Sequence, residues 1–127
     1  MKYYVDGYTR ERNPSPIGGG FTITDEEGKV LIRFEVKKKG FTNNEAELLA
    51  VKFCLEKYCD TDDEISTDSM NTISWIRRGK SKARPDLGEA ISSARYILDS
   101  KNVLLLWEGR EENLAGIYND EVVPKQW

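Results

Sequence analysis

Lys2-Tyr3-Tyr4-Val5-Asp6-Gly7-Tyr8 is the stretch from which the fold can be read. Its residues alternate and carry aromatics, so it reads as a β-strand. Asp6 is out of place there, because aspartate is disfavoured in strands and costly to bury without a partner. A functional carboxylate is the better reading. Working outward, Arg10 to Pro16 is a polar loop with two prolines, and Gly18-Gly19-Gly20 follows. Phe21 to Thr24 resumes a β pattern, Asp25-Glu26-Glu27-Gly28 reads as a turn, and Val30 to Val36 alternates again. Together these segments predict an antiparallel meander, closed by Lys37-Lys38-Lys39-Gly40.

The chain then changes period. Thr42 or Asn43 can cap a helix, since a short polar side chain satisfies free N–H groups of the first turn. Ala46, Leu49, Ala50 and Phe53 follow helical spacing and would face the core. Ile65 to Asp68 reads as a short strand, Ser69 to Arg78 as a second helix and Asp86 to Ser100 as a third. Val103 to Trp107 is a continuous apolar run, expected of a strand covered on both faces. Asn113 to Val123 reads as a short last helix. The order β-β-β-α-β-α-α-β-α predicts an α/β fold: a five-stranded mixed sheet, its first three strands antiparallel, with helices on both faces. A single domain over residues 1–127 is expected.

Composition narrows the chemistry. Of 127 residues, 32% are charged and 39% hydrophobic, which fits an ordinary globular domain. The net charge of −3 argues against indiscriminate polyanion binding, so any such contact needs a local patch. There is no histidine, which excludes His general bases and His-ligated zinc. Cys54 and Cys59, five residues apart, match neither a metal knuckle nor a redox motif and read as reduced thiols in a cytoplasm. No apolar run reaches membrane-spanning length, and no signal-peptide pattern is seen.

Four acids fall at the ends of elements: Asp6, Glu47, Asp68 and Asp120. Carboxylates far apart in sequence can converge on one point of a sheet. Hard divalent cations want oxygen ligands, so such a cluster suits metal-assisted phosphodiester chemistry. Each acid also has a plainer reading. Glu47 could serve the dipole of a first helical turn, Asp68 could cap the helix after it, and Asp120 could be a surface acid.

The motifs go further than the spacing. Val5-Asp6-Gly7, the glycine-rich second strand, Thr42-Asn43-Asn44-Glu45-Ala46-Glu47-Leu48, Thr67-Asp68-Ser69 and Arg110-Glu111-Glu112-Asn113 come in one order along nearly the whole chain. In this the chain resembles type 1 ribonuclease H, and Thr-Asn-Asn-x-x-Glu is the most specific element. The resemblance implies a ribonuclease H-like fold and cleavage of the RNA strand of RNA–DNA hybrids. It also implies Mg²⁺ or Mn²⁺ as cofactor, two ions together, held by Asp6, Glu47 and Asp68. In the family a further Asp stands four residues after the Asn of the last motif. Here Ile117 holds that place, and Asp120, one helical turn on, is the expected substitute, with Glu121 as fallback. Arg110 resembles the Arg of relatives that lack a mobile His, which implies a substrate-binding role: steadying charge on the leaving phosphate or assisting product release. Met70 stands where relatives often have Gln, and Tyr8 where a small residue is common.

RNA differs from DNA at the 2′-hydroxyl. The resemblance points to Asn43, Asn44 and the backbone near Gly18 as positions that follow the minor groove. Arg77, Arg78, Lys80, Lys82 and Arg84 form a basic stretch beside Trp75, which reads equally as a phosphate contact for the DNA strand or as a solvated loop. A monomer acting on RNA–DNA hybrid is the leading expectation. A hybrid-binding module impaired in catalysis is the second, and a nuclease of the same superfold with another nucleic-acid substrate the third.

Overall fold

The computed structural model describes residues 1–123. Residues 124–127, which belong to the single domain expected from sequence, lie outside the described residues. The strands are β1 (Lys2–Thr9), β2 (Gly18–Thr24), β3 (Val30–Lys37), β4 (Glu64–Thr67) and β5 (Leu104–Trp107). The helices are α1 (Asn43–Lys57), α2 (Met70–Arg78), α3 (Gly88–Ser100) and α4 (Leu114–Val122), with a 3-10 turn at Pro85–Leu87 before α3. The five strands form one sheet in the order β3-β2-β1-β4-β5. β1 pairs antiparallel with β2, and β2 with β3. β1–β4 and β4–β5 are parallel. This is the mixed sheet that the order of elements implies, with β1 at its centre.

Alternation along β1 assigns the faces. Tyr3 and Val5 join the main apolar core with Leu48, Val51, Leu55 and Ile65. α1 packs on that face, and at Gly7 it comes so close that a Cβ would stand 2.5 Å from the Ala46 carbonyl carbon. Asp6 points to the other face, where α4 lies over β1 and β2. Asn113 caps α4 by accepting from Gly116 N at 3.1 Å, and its Nδ2 donates to the Val5 carbonyl at 2.9 Å. One side chain thus starts the helix and ties it to the central strand.

The structure decides between the expected helix caps and corrects two other local expectations. The helix caps are Thr42 and Ser69, which accept from Glu45 N and Thr72 N, so Asn43 and Asp68 are released from capping. β2 begins at Gly18, and all seven of its residues are buried. β5 is not covered on both faces: Val103 and Leu105 are buried, whereas Leu104, on the opposite face, is 51% exposed, and Trp107 is 54% exposed at the end of the strand. β5 is an edge strand, and the helix on that face, α4, lies over β1 and β2. Cys54 and Cys59 are free and buried, with sulfurs 3.9 Å apart. No helix among the described residues is long and apolar enough to cross a membrane.

Candidate active site

Three carboxylates converge where β1, α1 and β4 meet. Asp6, Glu47 and Asp68 each offer an oxygen, and these oxygens lie within 4.8 Å of one another. Asp6 comes from the middle of the central strand. Glu47 sits in the first turns of α1, held against β1 by the absence of a side chain at Gly7. Asp68 follows the last residue of β4, and parallel pairing of β4 with β1 sets its height. A cleft of about 880 Å³ is lined by Glu47 and Asp68, with Asp6 buried behind them, and reaches Asn43, Asn44, Met70, Asn71 and Asp120.

The electrostatics are strained without a cation. Asp6 is fully buried, and burial is the main cause that pushes its carboxyl up to about 6. Arg110 pulls the other way, and Asp68 adds to the rise. Glu47 is driven well above the ordinary carboxylate range by burial, then by Asp6 and Asp68. Buried acids crowded together cannot all ionise at ease unless positive charge is supplied. Arg110 supplies one such charge. Its Nη1 donates to Asp6 Oδ1 and, at 2.9 Å, to Asp68 Oδ2, while Nη2 donates to Asp120 Oδ1 at 2.8 Å. Burial works against that guanidinium, but Asp120, Asp6 and Asp68 together raise its pKa. A set of hard oxygen donors, short of positive charge and open to a cleft, fits a divalent cation such as Mg²⁺ or Mn²⁺.

Asn119 was not foreseen. It is 2% exposed, and its Nδ2 donates to Asp6 Oδ2 at 2.8 Å. Its Oδ1 accepts from the Thr22 hydroxyl at 2.6 Å. Thr22 is the cross-strand neighbour of Asp6, so the three form a buried relay from β2 through α4 to β1. A polar residue in register with Ala115 and Gly116 on the buried side of α4 was the available signal.

The remaining expected residues separate into two groups. Asn43 and Asn44 line the cleft, and Asn44 Oδ1 accepts from Asn71 Nδ2 at 3.3 Å. Asp120 also lines it, at the edge, bonded to Arg110 rather than grouped with the three inner acids. Gly18 lies off the cleft, with its N–H donated to Ser15 Oγ and its carbonyl accepting from Arg10 N. Arg77, Arg78 and Lys80 are exposed at and just beyond the end of α2, and none lines the cleft. Arg84 is committed inside the molecule, to Thr42, Glu45 and Asp86. A second hollow, of about 410 Å³, shares Asn44 and Asn71 with the cleft and runs past Trp75 to Arg84.

Comparison with known proteins gives a consistent picture. The RNase H family model matches residues 1–105. A solved structure of LC11-RNase H1, isolated from compost by a metagenomic approach, is that protein's complex with an RNA/DNA hybrid. It is 31% identical, with 96% of this chain and 92% of that chain covered, at a TM-score of 0.64. The N-terminal RNase H domain of a Mycobacterium tuberculosis protein has the same fold at 23% identity, with coverage of 94% and 95% and a TM-score of 0.70. RNase H1 from the archaeon Halobacterium salinarum has it at 24%, with coverage of 90% and 89% and a TM-score of 0.66. A search of curated proteins finds no match.

Proposed function

Because the chain belongs to the ribonuclease H family, we propose that it is an endoribonuclease that hydrolyses the RNA strand of RNA–DNA hybrids with divalent cations held by Asp6, Glu47 and Asp68. The observation that carries this reading is the convergence of those three carboxylates within 4.8 Å, with Glu47 and Asp68 lining an open cleft and Asp6 buried behind them. Divalent ions held there, Mg²⁺ or Mn²⁺ and two together, would supply an activated water and neutralise charge developing on the phosphate oxygens. The protein's part is to position. Asp6, at the centre, is shared between the two sides of the cluster, and Asn119 fixes the direction of its carboxylate. Glu47 and Asp68 close one side each. Asp120, the next carboxylate outward, would be the fourth acid available to the cage. Asn43 and Asn44 offer amides at the cleft wall for a 2′-hydroxyl. Gly18 marks the strand end along which the minor groove runs. Arg77, Arg78 and Lys80 meet phosphates beyond the cleft. The buried, free thiols suit a reducing compartment, and we place the protein in the cytoplasm as a monomer.

A second reading, a hybrid-binding module without turnover, is favoured by one observation: Asp120 stands outside the inner cluster. Cleavage assays on hybrid, duplex RNA, duplex DNA and single strands, each with Mg²⁺ and with Mn²⁺, separate the readings. Hybrid alone should be cut, Asp6→Asn should abolish cutting with the fold intact, and Asp120→Asn should slow it and raise the metal requirement more than Glu121→Gln does. Gln at Arg77, Arg78 and Lys80 should flatten the salt dependence of hybrid binding. Hybrid bound but never cut with either ion would establish the second reading, and preferred cutting of another nucleic acid would move the protein to a different substrate.

A further inference from the structure

Arg110 holds three carboxylates at once. One nitrogen serves Asp6 and Asp68, the other serves Asp120, and Nε adds a contact to Asp120 at 3.3 Å. Asp6 and Asp68 are two of the three acids that form the cation cage. The guanidinium therefore stands against the very groups a divalent cation would need. Its position is built into the fold. Gly116, in the first turn of α4, leaves room for it: a Cβ there would stand 2.8 Å from Nη1 and 3.2 Å from Cδ. The side chain lies across α4 into the cluster instead of extending into solvent. Exchange is also sterically open, because 44% of the Arg110 side chain is exposed, against none of Asp6.

We propose that Arg110 is an exchangeable counter-ion, which holds Asp6 and Asp68 in the cation-free protein and must leave them for a divalent cation to be held there. The inference rests on the cation cage proposed above. The guanidinium set free is at the mouth of the cleft, where a strand phosphate is a fitting partner, since arginine pairs with carboxylate and phosphate through the same planar fork. Cation and nucleic-acid phosphate are then linked ligands. Each pays less to bind when the other is present, and the linkage is reciprocal.

Calorimetric titration of the full chain with Mg²⁺ and with Mn²⁺, in the absence of nucleic acid, tests the exchange. Arg110→Gln should bind the ions more tightly than the unmodified protein, by roughly five- to a hundredfold. Adding an uncleavable 2′-O-methyl RNA–DNA duplex should tighten ion binding to the unmodified protein, and should do so less for Arg110→Gln. A second measurement needs no variant: the ¹⁵N–H resonance of Arg110 Nε should shift along the Mg²⁺ titration and saturate with the calorimetric affinity. Equal or weaker ion binding by Arg110→Gln would overturn the exchange and leave the cage standing. Should that variant not fold, an Arg110 resonance unmoved at saturating Mg²⁺ would overturn it instead. Absence of ion binding to either protein would overturn the cage and the exchange together.

Discussion

At the scale of single residues, the direction of the Asp6 carboxylate depends on an amide that could face either way. The Thr22 hydroxyl donates to Asn119 Oδ1, which turns Nδ2 toward Asp6. Reversal of the amide would set oxygen against carboxylate. Thr22→Val keeps the shape of the β-branched side chain and removes the donor, leaving Oδ1 unsatisfied in a buried place, at a cost of about 1–3 kcal/mol. Thermal unfolding should show that loss. Hybrid cleavage at saturating substrate should fall while KM stays near its original value, because Thr22 lies behind the carboxylate and away from the strand. A change confined to KM would remove the relay from the chemistry. Asp6 was legible because it interrupts a strand pattern, Glu47 because it sits in a specific motif, and Asp68 because it follows a short strand in Thr67-Asp68-Ser69. Asn119 was not, since its spacing from Ala115 and Gly116 marks it as buried but does not say what it bonds to. Its partner Thr22 comes from another strand, so the pair exists only once the sheet has formed.

Among the elements, the contact between β1 and α1 sets the site. Gly7 lets the helix backbone approach the strand, and a Cβ there would lie 2.6 Å from Glu47 N. Backbone cannot yield as a flexible side-chain end can. Gly7→Ala should therefore lift the start of α1 and cost about 1–3 kcal/mol or more. The same change should weaken Mn²⁺ binding, because Glu47 moves with the helix. Chemical denaturation and calorimetry read the two effects, and an unperturbed protein would show that the helix adapts without moving Glu47. The meander and the strand–helix alternation were readable from period and turn residues alone. The run Gly18-Gly19-Gly20 was readable as strand only through the resemblance, since three residues without side chains give no alternation, and their burial comes from β1 and β3 on either side. The apolar run of β5 misled for the opposite reason. Its composition suits burial on both faces, but coverage depends on where α4 lands, which composition does not encode.

For the molecule as a whole, the acidic cluster reverses the usual response to acid. The folded Asp6 carboxyl titrates near 6, above its ordinary 3.8, and Glu47 is raised as well. Groups shifted upward contribute stability below their unfolded pKa and lose it as pH rises through the folded value. Asp63 and Glu108 are shifted downward in spite of burial, Asp63 by the N-terminal amine and Glu108 by Lys2, and their contribution is lost as pH falls below about 4. Cation-free protein should thus be most stable near pH 5. Lowering the pH from 7 to 5 should add about 1 kcal/mol, or roughly 3–6 °C in Tm, measured in the presence of a chelator. Divalent cation should favour pH 7 instead. A steady fall in Tm from pH 7 to 5 without cation would contradict the assignment of strain to these acids.

The two margins of the sheet face water on unequal terms. β3 borders solvent with Arg33, Glu35 and Lys37, whose charges discourage a foreign strand. β5 ends the sheet on the other flank with Leu104-Leu105-Leu106-Trp107, paired among the described residues only to β4. Crowded solutions should therefore be colloidally least secure along that flank. Light scattering should register the difference, with Leu104→Lys keeping the protein dispersed at concentrations where the parent chain begins to cluster.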